Sequence, residues 1–198
     1  VRTERGLAEL GQYSVAVGAA ELLSTLGMGV TAGVLPSIVH DDDAAETVCR
    51  VTRTTLLALG AIAVVMALAA PFAIPLVFGH AYAHAVPAFV LLLPGLSCFV
   101  LHAPLFNFVT SHGGTASLTR LGVGALVTNV VGNVVALHFV DFTAAAVMSS
   151  LSYLFLFGGC LVLFARTAHV PLLRALRPER RDVVDALRSV RTMIAARS

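Results

Sequence analysis

Glu21 is the only acidic residue well inside a long apolar stretch of this chain. An ionisable group in hydrocarbon is costly, about 3 kcal/mol at a helix centre, so it faces a cavity or a partner. Glu21 therefore fits a proton- or cation-coupling site, a contact to substrate hydroxyls, or a neutral hydrogen-bonded carboxyl that locks two helices. Asn129 and Asn133 share one helix face by their i,i+4 spacing. They suit sugar hydroxyls in a cavity, or hydrogen bonds between helices. Arg120 opens another apolar run. Its fork of donors suits a pyrophosphate, and the same side chain snorkelling to the interface would anchor a span. His102 and Asn107 lie in a further run, where His102 fits a satisfied polar residue better than a proton relay.

Metal and enzyme chemistry find little footing. His80 and His84 are four apart, as two ligands on a helix would be, but their turn holds no third ligand. Cys49, Cys98 and Cys160 are far apart in sequence and fit small core residues. Neither a G-x-S-x-G elbow, nor an H-E-x-x-H pair, nor a phosphate-cradling loop occurs. The expectation is a protein that is not an enzyme and needs no metal or cofactor.

These residues must be positioned by membrane helices. Of 198 residues, 58% are apolar and 12% charged, and the mean hydropathy is +0.89. A soluble domain is about half apolar and a quarter charged. The turn Phe78–Pro87 divides two apolar stretches, Thr54–Val77 and Ala85–Val109, each long enough for the roughly 20 residues that cross a bilayer. Around this hairpin the sequence predicts an all-α polytopic bundle with five spans, 11–39, 54–77, 85–109, 121–140 and 144–164. A loop or helix start precedes it at 1–10, and a basic tail follows at 166–198. The first span carries a polar stripe of Ser14, Glu21, Ser24, Thr25 and Met28, and a small-xxx-small motif at Gly29 and Gly33. Prolines at 71, 75, 87, 94 and 104 fall in the second and third spans, where each frees a carbonyl and bends the axis. Asp41–Asp43 would cap an amphipathic helix within the polar loop 40–53.

Charge sets the expected orientation. All thirteen cations are Arg. Eleven lie in the 40–53 loop, the 110–120 loop and the tail, and none in the 78–84 and 141–143 turns. The positive-inside rule then puts the tail in the cytoplasm, where its Arg residues meet anionic lipid heads and 182–196 forms a surface helix. Arg2 and Arg5 dissent from this placement. Five spans with an outside N-terminus fit the last part of a larger, even-numbered bundle.

Several motifs resemble one family. Gly11, Tyr13 and Ala16, leading to Leu35-Pro36, resemble the G-x-Y-s-x-A … P stretch of bacterial polysaccharide exporters. Pro75, Phe78-Gly79, Tyr82 and Ala85 resemble their P … F-G-x-x-Y-x-x-A turn, and Leu93-Pro94-Gly95 continues it. Asn129 and Asn133, then Ala144 through Ser149-Ser150, Ser152 and Tyr153, resemble the closing N-x-x-x-N … A-A-x-A-S-x-x-S-Y stretch. Asp141-Phe142-Thr143 departs from the Gly-containing turn usual there. The chain is similar, over about residues 10–165, to the C-terminal lobe of an O-antigen or teichoic-acid flippase of the multidrug/oligosaccharidyl-lipid/polysaccharide exporter superfamily.

The resemblance implies two six-helix lobes around a central cavity that rock between access states. It also implies a bacterial plasma-membrane location, an N-terminal lobe as partner, and a lipid-linked sugar as substrate carried to the outer leaflet. Two alternatives stand beside it. One is a multidrug or cation antiporter of the same superfamily. The other is a truncated, non-transporting scaffold that recruits polysaccharide synthesis enzymes through the basic tail. No nucleic-acid partner is expected.

Overall fold

The computed structural model describes residues 2–32, 43–139 and 142–177. Five long helices follow one another: α1 (Arg2–Ala32), α2 (Ala44–Phe78), α3 (Ala85–Ser111), α4 (Thr115–Phe139) and α5 (Phe142–Ala168). Short 3-10 turns occupy His80–Tyr82 and Leu172–Ala175, and the described residues contain no strand. Helices α2 to α5 are long and apolar enough to cross a membrane. The chain is a polytopic membrane helix bundle, and the predicted spans 85–109, 121–140 and 144–164 fall on α3, α4 and α5.

One helix begins earlier than expected, and residues 2–10 take the helical alternative expected for 1–10. α1 runs from Arg2, and residues 33–39 of its predicted span, with Pro36, lie outside the described residues. α2 starts at Ala44, so most of the predicted 40–53 loop is helix. The helix opens on the Asp43 carbonyl, which accepts the Glu46 and Thr47 amides at 3.0 and 3.1 Å. Asp43 is the N-cap residue but makes no side-chain cap bond. The first turns stay helical because Val48, Cys49, Val51, Thr52 and Thr55 are buried on one side. At 35 residues, α2 is about 52 Å long. It therefore extends well past a hydrocarbon core of about 30 Å.

α3 lies at the centre. Its apolar residues follow no single face, so it can bury part of its surface against its neighbours and turn the rest, Leu91 and Phe106 among it, outward. It packs against α1, α2 and α5, while α4 rests mainly on α5. Phe89, Leu92, Leu93, Val100, Leu101, Leu105 and Phe108 fill the core from α3. Lipid tails are as apolar as these side chains, so close packing and hydrogen bonds must hold the helices together.

The tightest approach joins α3 to α5. A Cβ built on Gly95 would lie 2.5 Å from Ser150 Cα, so the two backbones touch. Ser150 Oγ donates a hydrogen bond of 2.6 Å to the Leu91 carbonyl. That carbonyl sits beside Pro94, whose missing N–H and ring disturb the helix ladder here. α1 meets α3 in the same manner at Gly27, where a Cβ would come within 2.7 Å of Val100 Cγ1. Of the predicted small-xxx-small pair, Gly33 lies outside the described residues, and Gly27 makes the close approach in that run.

The Gly95 contact is testable. Alanine gains about 1 kcal/mol over glycine within a helix, but overpacking costs about 1–3 kcal/mol and the obstacle here is backbone. Gly95→Ala is expected to lower the midpoint of thermal unfolding in detergent by several degrees. Gly60→Ala, which meets nothing within 4 Å, should leave it unchanged or raise it.

Candidate functional site

The outward faces of the bundle differ in polarity. α2 presents Val64, Val65, Leu68, Phe72 and Leu76, with Leu68 72% and Leu76 86% exposed. α4 presents Val123, Leu126, Val127, Val130, Val131 and Val134. These are lipid-facing surfaces. α1 buries Ala16, Ala20, Leu23 and Gly27 against the core. These residues are spaced 4, 3 and 4, and the small ones, Ala16, Ala20 and Gly27, let α1 lie close to α3. The same periodicity turns Ser14, Gly18, Glu21, Thr25 and Met28 outward, all exposed. The polar stripe read from the sequence thus points away from the other four helices. The Ser14 and Thr25 hydroxyls donate to carbonyls of their own helix at 2.9 and 3.0 Å, which leaves Glu21 as the group that hydrocarbon solvates poorly.

Beside the stripe, α1, α3 and α5 converge. The hydroxyls of Tyr13 and Ser149 lie 3.4 Å apart. Tyr153 is one turn further along α5, within electrostatic reach of Tyr13 and Glu21. Its ring is 5.1 Å from that of Phe99, which lies 5.0 Å from the His102 ring, and Phe106 follows edge-on. The Phe99 carbonyl engages His102 Nδ1, so that imidazole is tied to its own helix. The result is a strip with one carboxylate, two phenols, the Ser149 hydroxyl, an imidazole and aromatic rings. These groups can accept hydrogen bonds from hydroxyls, donate to ring or glycosidic oxygens, and stack on an apolar sugar face. The described Arg side chains, at positions 50, 53, 120, 166, 174 and 177, all sit at the bundle end opposite the Phe78–His84 turn.

Adjoining the stripe, between α1 and α2, lies an apolar crevice of about 440 Å³. Gly18, Leu22, Met66, Ala73, Phe78 and Phe89 are among its lining residues. It forms because α1 and α2 both pack on α3 and only lightly on each other. Gly18 belongs to both the stripe and the crevice. The polar surface and the apolar slot therefore adjoin along α1.

The other predicted residues are placed elsewhere. Asn133 Nδ2 donates to Asn129 Oδ1 at 3.1 Å, a bond within α4. Asn133 Oδ1 is buried with no partner among the described residues. Between them Gly132 faces Met148 of α5. Since α4 rests on α5 and α1 rests on α3, the asparagine pair is not brought to Glu21. Arg120 is exposed in the first turns of α4. His80 and His84 are exposed at the turn. The described residues hold no group of three potential metal ligands.

Sequence reasoning missed an ionic cluster. Arg53 is 1% exposed. Its Nη1 donates to the Arg174 carbonyl at 2.8 Å, and its Nη2 lies 3.3 Å from Glu46 Oε1. Arg174 Nη2 reaches Glu46 Oε2 at 3.0 Å. The first residues of the predicted free tail are thus docked on α2, with Ala175 1% exposed. A signal was present: Glu46, Cys49 and Arg53 fall on one helix face by their spacing of 3 and 4. The predicted surface helix 182–196 lies outside the described residues.

No family model, no curated protein and no solved structure matches this chain.

Cysteine accessibility separates the two outward surfaces. Cys49 and Cys160 are buried and Cys98 is half-buried; all three are replaced by alanine. Glu21→Cys and Thr25→Cys are expected to react with a membrane-impermeant thiol reagent at least tenfold faster than Leu68→Cys and Val131→Cys. Equal, slow reaction at all four positions would place the α1 stripe in lipid.

Proposed function

We propose that this bundle is one lobe of a flippase that carries lipid-linked oligosaccharide or polysaccharide precursors across the bacterial plasma membrane. The carried product would serve cell-surface polysaccharide biosynthesis. The observation that carries the proposal is α1 itself, polar and ionisable along one strip and bordering an apolar slot along the adjoining one. A substrate with a sugar head and a hydrocarbon tail has the same two-sided character. The head would lie against Glu21, Tyr13, Tyr153 and the Phe99–His102 strip, and the tail would run through the Gly18–Phe89 slot into the bilayer.

Convergence of the motif residues supports the family resemblance. Tyr13 of the first motif meets Ser149 of the last. Gly95 of the L-P-G stretch meets Ser150. Gln12 Nε2 donates to the Ala81 carbonyl inside the F-G-x-x-Y turn at 3.4 Å. Residues far apart in sequence that share a pattern therefore also share contacts.

The mechanism we propose is non-covalent. A second lobe covers the α1 stripe and closes a cavity around the head group. Rocking of the lobes exposes that cavity to one leaflet and then to the other. The Arg-bearing end lies in the cytoplasm by the positive-inside rule, so the Phe78–His84 turn lies outside. Glu21 accepts hydrogen bonds from sugar hydroxyls. A second reading, multidrug or cation antiport, is favoured by one observation: Glu21 is the strip's lone carboxylate, with no described Arg beside it. In that case Glu21 exchanges a proton or cation.

A sidedness assay tests the proposal. Cells lacking the protein should accumulate lipid-linked sugar in the cytoplasmic leaflet, and wild type should clear it. Glu21→Gln at equal expression should slow clearance about tenfold. An even distribution of precursor in the deletion strain would end the flippase proposal. Normal precursor handling with Glu21-dependent drug efflux would favour the antiporter.

A further inference from the structure

After Ala168 the chain reverses. His169 adopts φ 53°, and the Val170 amide returns to the Ala165 carbonyl at 3.1 Å; a left-handed residue is a common way to end a helix. Pro171 is extended, and Leu172–Ala175 forms a 3-10 turn laid across the first turns of α2. The chain from Pro171 to Leu176 is thus a strap between the ends of α5 and α2. Three features seat it: Ala175 is buried, Arg53 Nη1 of α2 donates to the Arg174 carbonyl at 2.8 Å, and Glu46 shares its carboxylate between Arg53 and Arg174 of the strap.

We propose that Pro171–Leu176 is a reversible latch, seated on α2 by Glu46, which holds the Arg-bearing ends of α2 and α5 together. Three observations argue for reversibility. The strap buries one small side chain and leaves Leu172 and Leu173 44% and 73% exposed, so little apolar contact resists local opening. The Arg174–Glu46 pair is open to solvent, with the Arg174 side chain 55% exposed. The Glu46–Arg53 pair lies within α2 and is kept when the strap leaves. Glu46 therefore keeps a charged partner in both states, while Arg53 exchanges the Arg174 carbonyl for the water that opening admits. In the docked state α5 cannot swing away from α2 at this end; release frees the two helices.

Limited trypsin digestion of the full chain in nanodiscs of zwitterionic lipid tests the latch. Cleavage after Arg174 is followed by mass spectrometry and referred to cleavage after Arg120, which is exposed on α4. Glu46→Gln is expected to raise cleavage after Arg174 at least tenfold while cleavage after Arg120 stays unchanged. Ala175→Leu, which unseats the strap without touching a charge, should act alike. Raising salt from about 50 mM to about 500 mM should speed cleavage after Arg174 in wild type, because an exposed pair is screened. Cleavage within twofold of wild type in both variants overturns the proposal. So does a rise that runs in step at Arg120, or the absence of any salt response, since each marks a fixed structural contact.

Discussion

Two backbones touching in hydrocarbon set the rest of this structure. Where Gly95 of α3 meets Ser150 of α5, the gap has no room for a Cβ. Water supplies no drive for helices to associate inside a bilayer, so contact of this closeness is what association must rest on. The Ser150 hydroxyl also donates to the Leu91 carbonyl next to Pro94. Once α3 and α5 are joined there, α3 has three remaining sides. α1 and α2 occupy two of them, and α4 is left to rest on the far side of α5. The splay between α1 and α2, and with it the apolar crevice, follows from both helices needing α3 more than each other.

Much of this was legible in the sequence. Uninterrupted apolar runs pointed to α3, α4 and α5, because a bilayer admits little but helices, although α4 begins at Thr115, within the expected 110–120 loop. The stripe through Ser14, Glu21, Thr25 and Met28 was visible as a helical period. Its direction was not, because period alone cannot say which side of a helix finds a neighbour. That depended on Ala16, Ala20 and Gly27 being small enough to approach α3. Asn129 and Asn133 illustrate the opposite limit. Their spacing put them on one face, and that spacing also let them bond to each other within α4.

The polar ends were the least legible part. Residues 44–53 resemble a loop in composition, yet they fold as the first turns of α2 because Val48, Cys49 and Val51 find cover. That cover comes from segments distant in the chain, Ala175 among them. Arg53 is tolerated in a buried position because Glu46 and the Arg174 carbonyl meet its donors. A buried cation without such partners would be strongly destabilising.

The outward polarity of α1 also bears on how the chain is made. A helix carrying Glu21 and several hydroxyls enters lipid less readily than the helices that follow it. Its natural neighbour is α3, whose first residue, Ala85, is synthesised 53 residues after Ala32, the last residue of α1 (85 − 32). At roughly 5–20 residues per second the ribosome needs about 3–10 s to bridge that interval. Throughout it α1 has no packed partner among α3 to α5. Until α3 emerges, α2 is the described neighbour that nascent α1 can meet, and the two pack only lightly in the finished bundle. The seating of α1 therefore waits on the synthesis of α3.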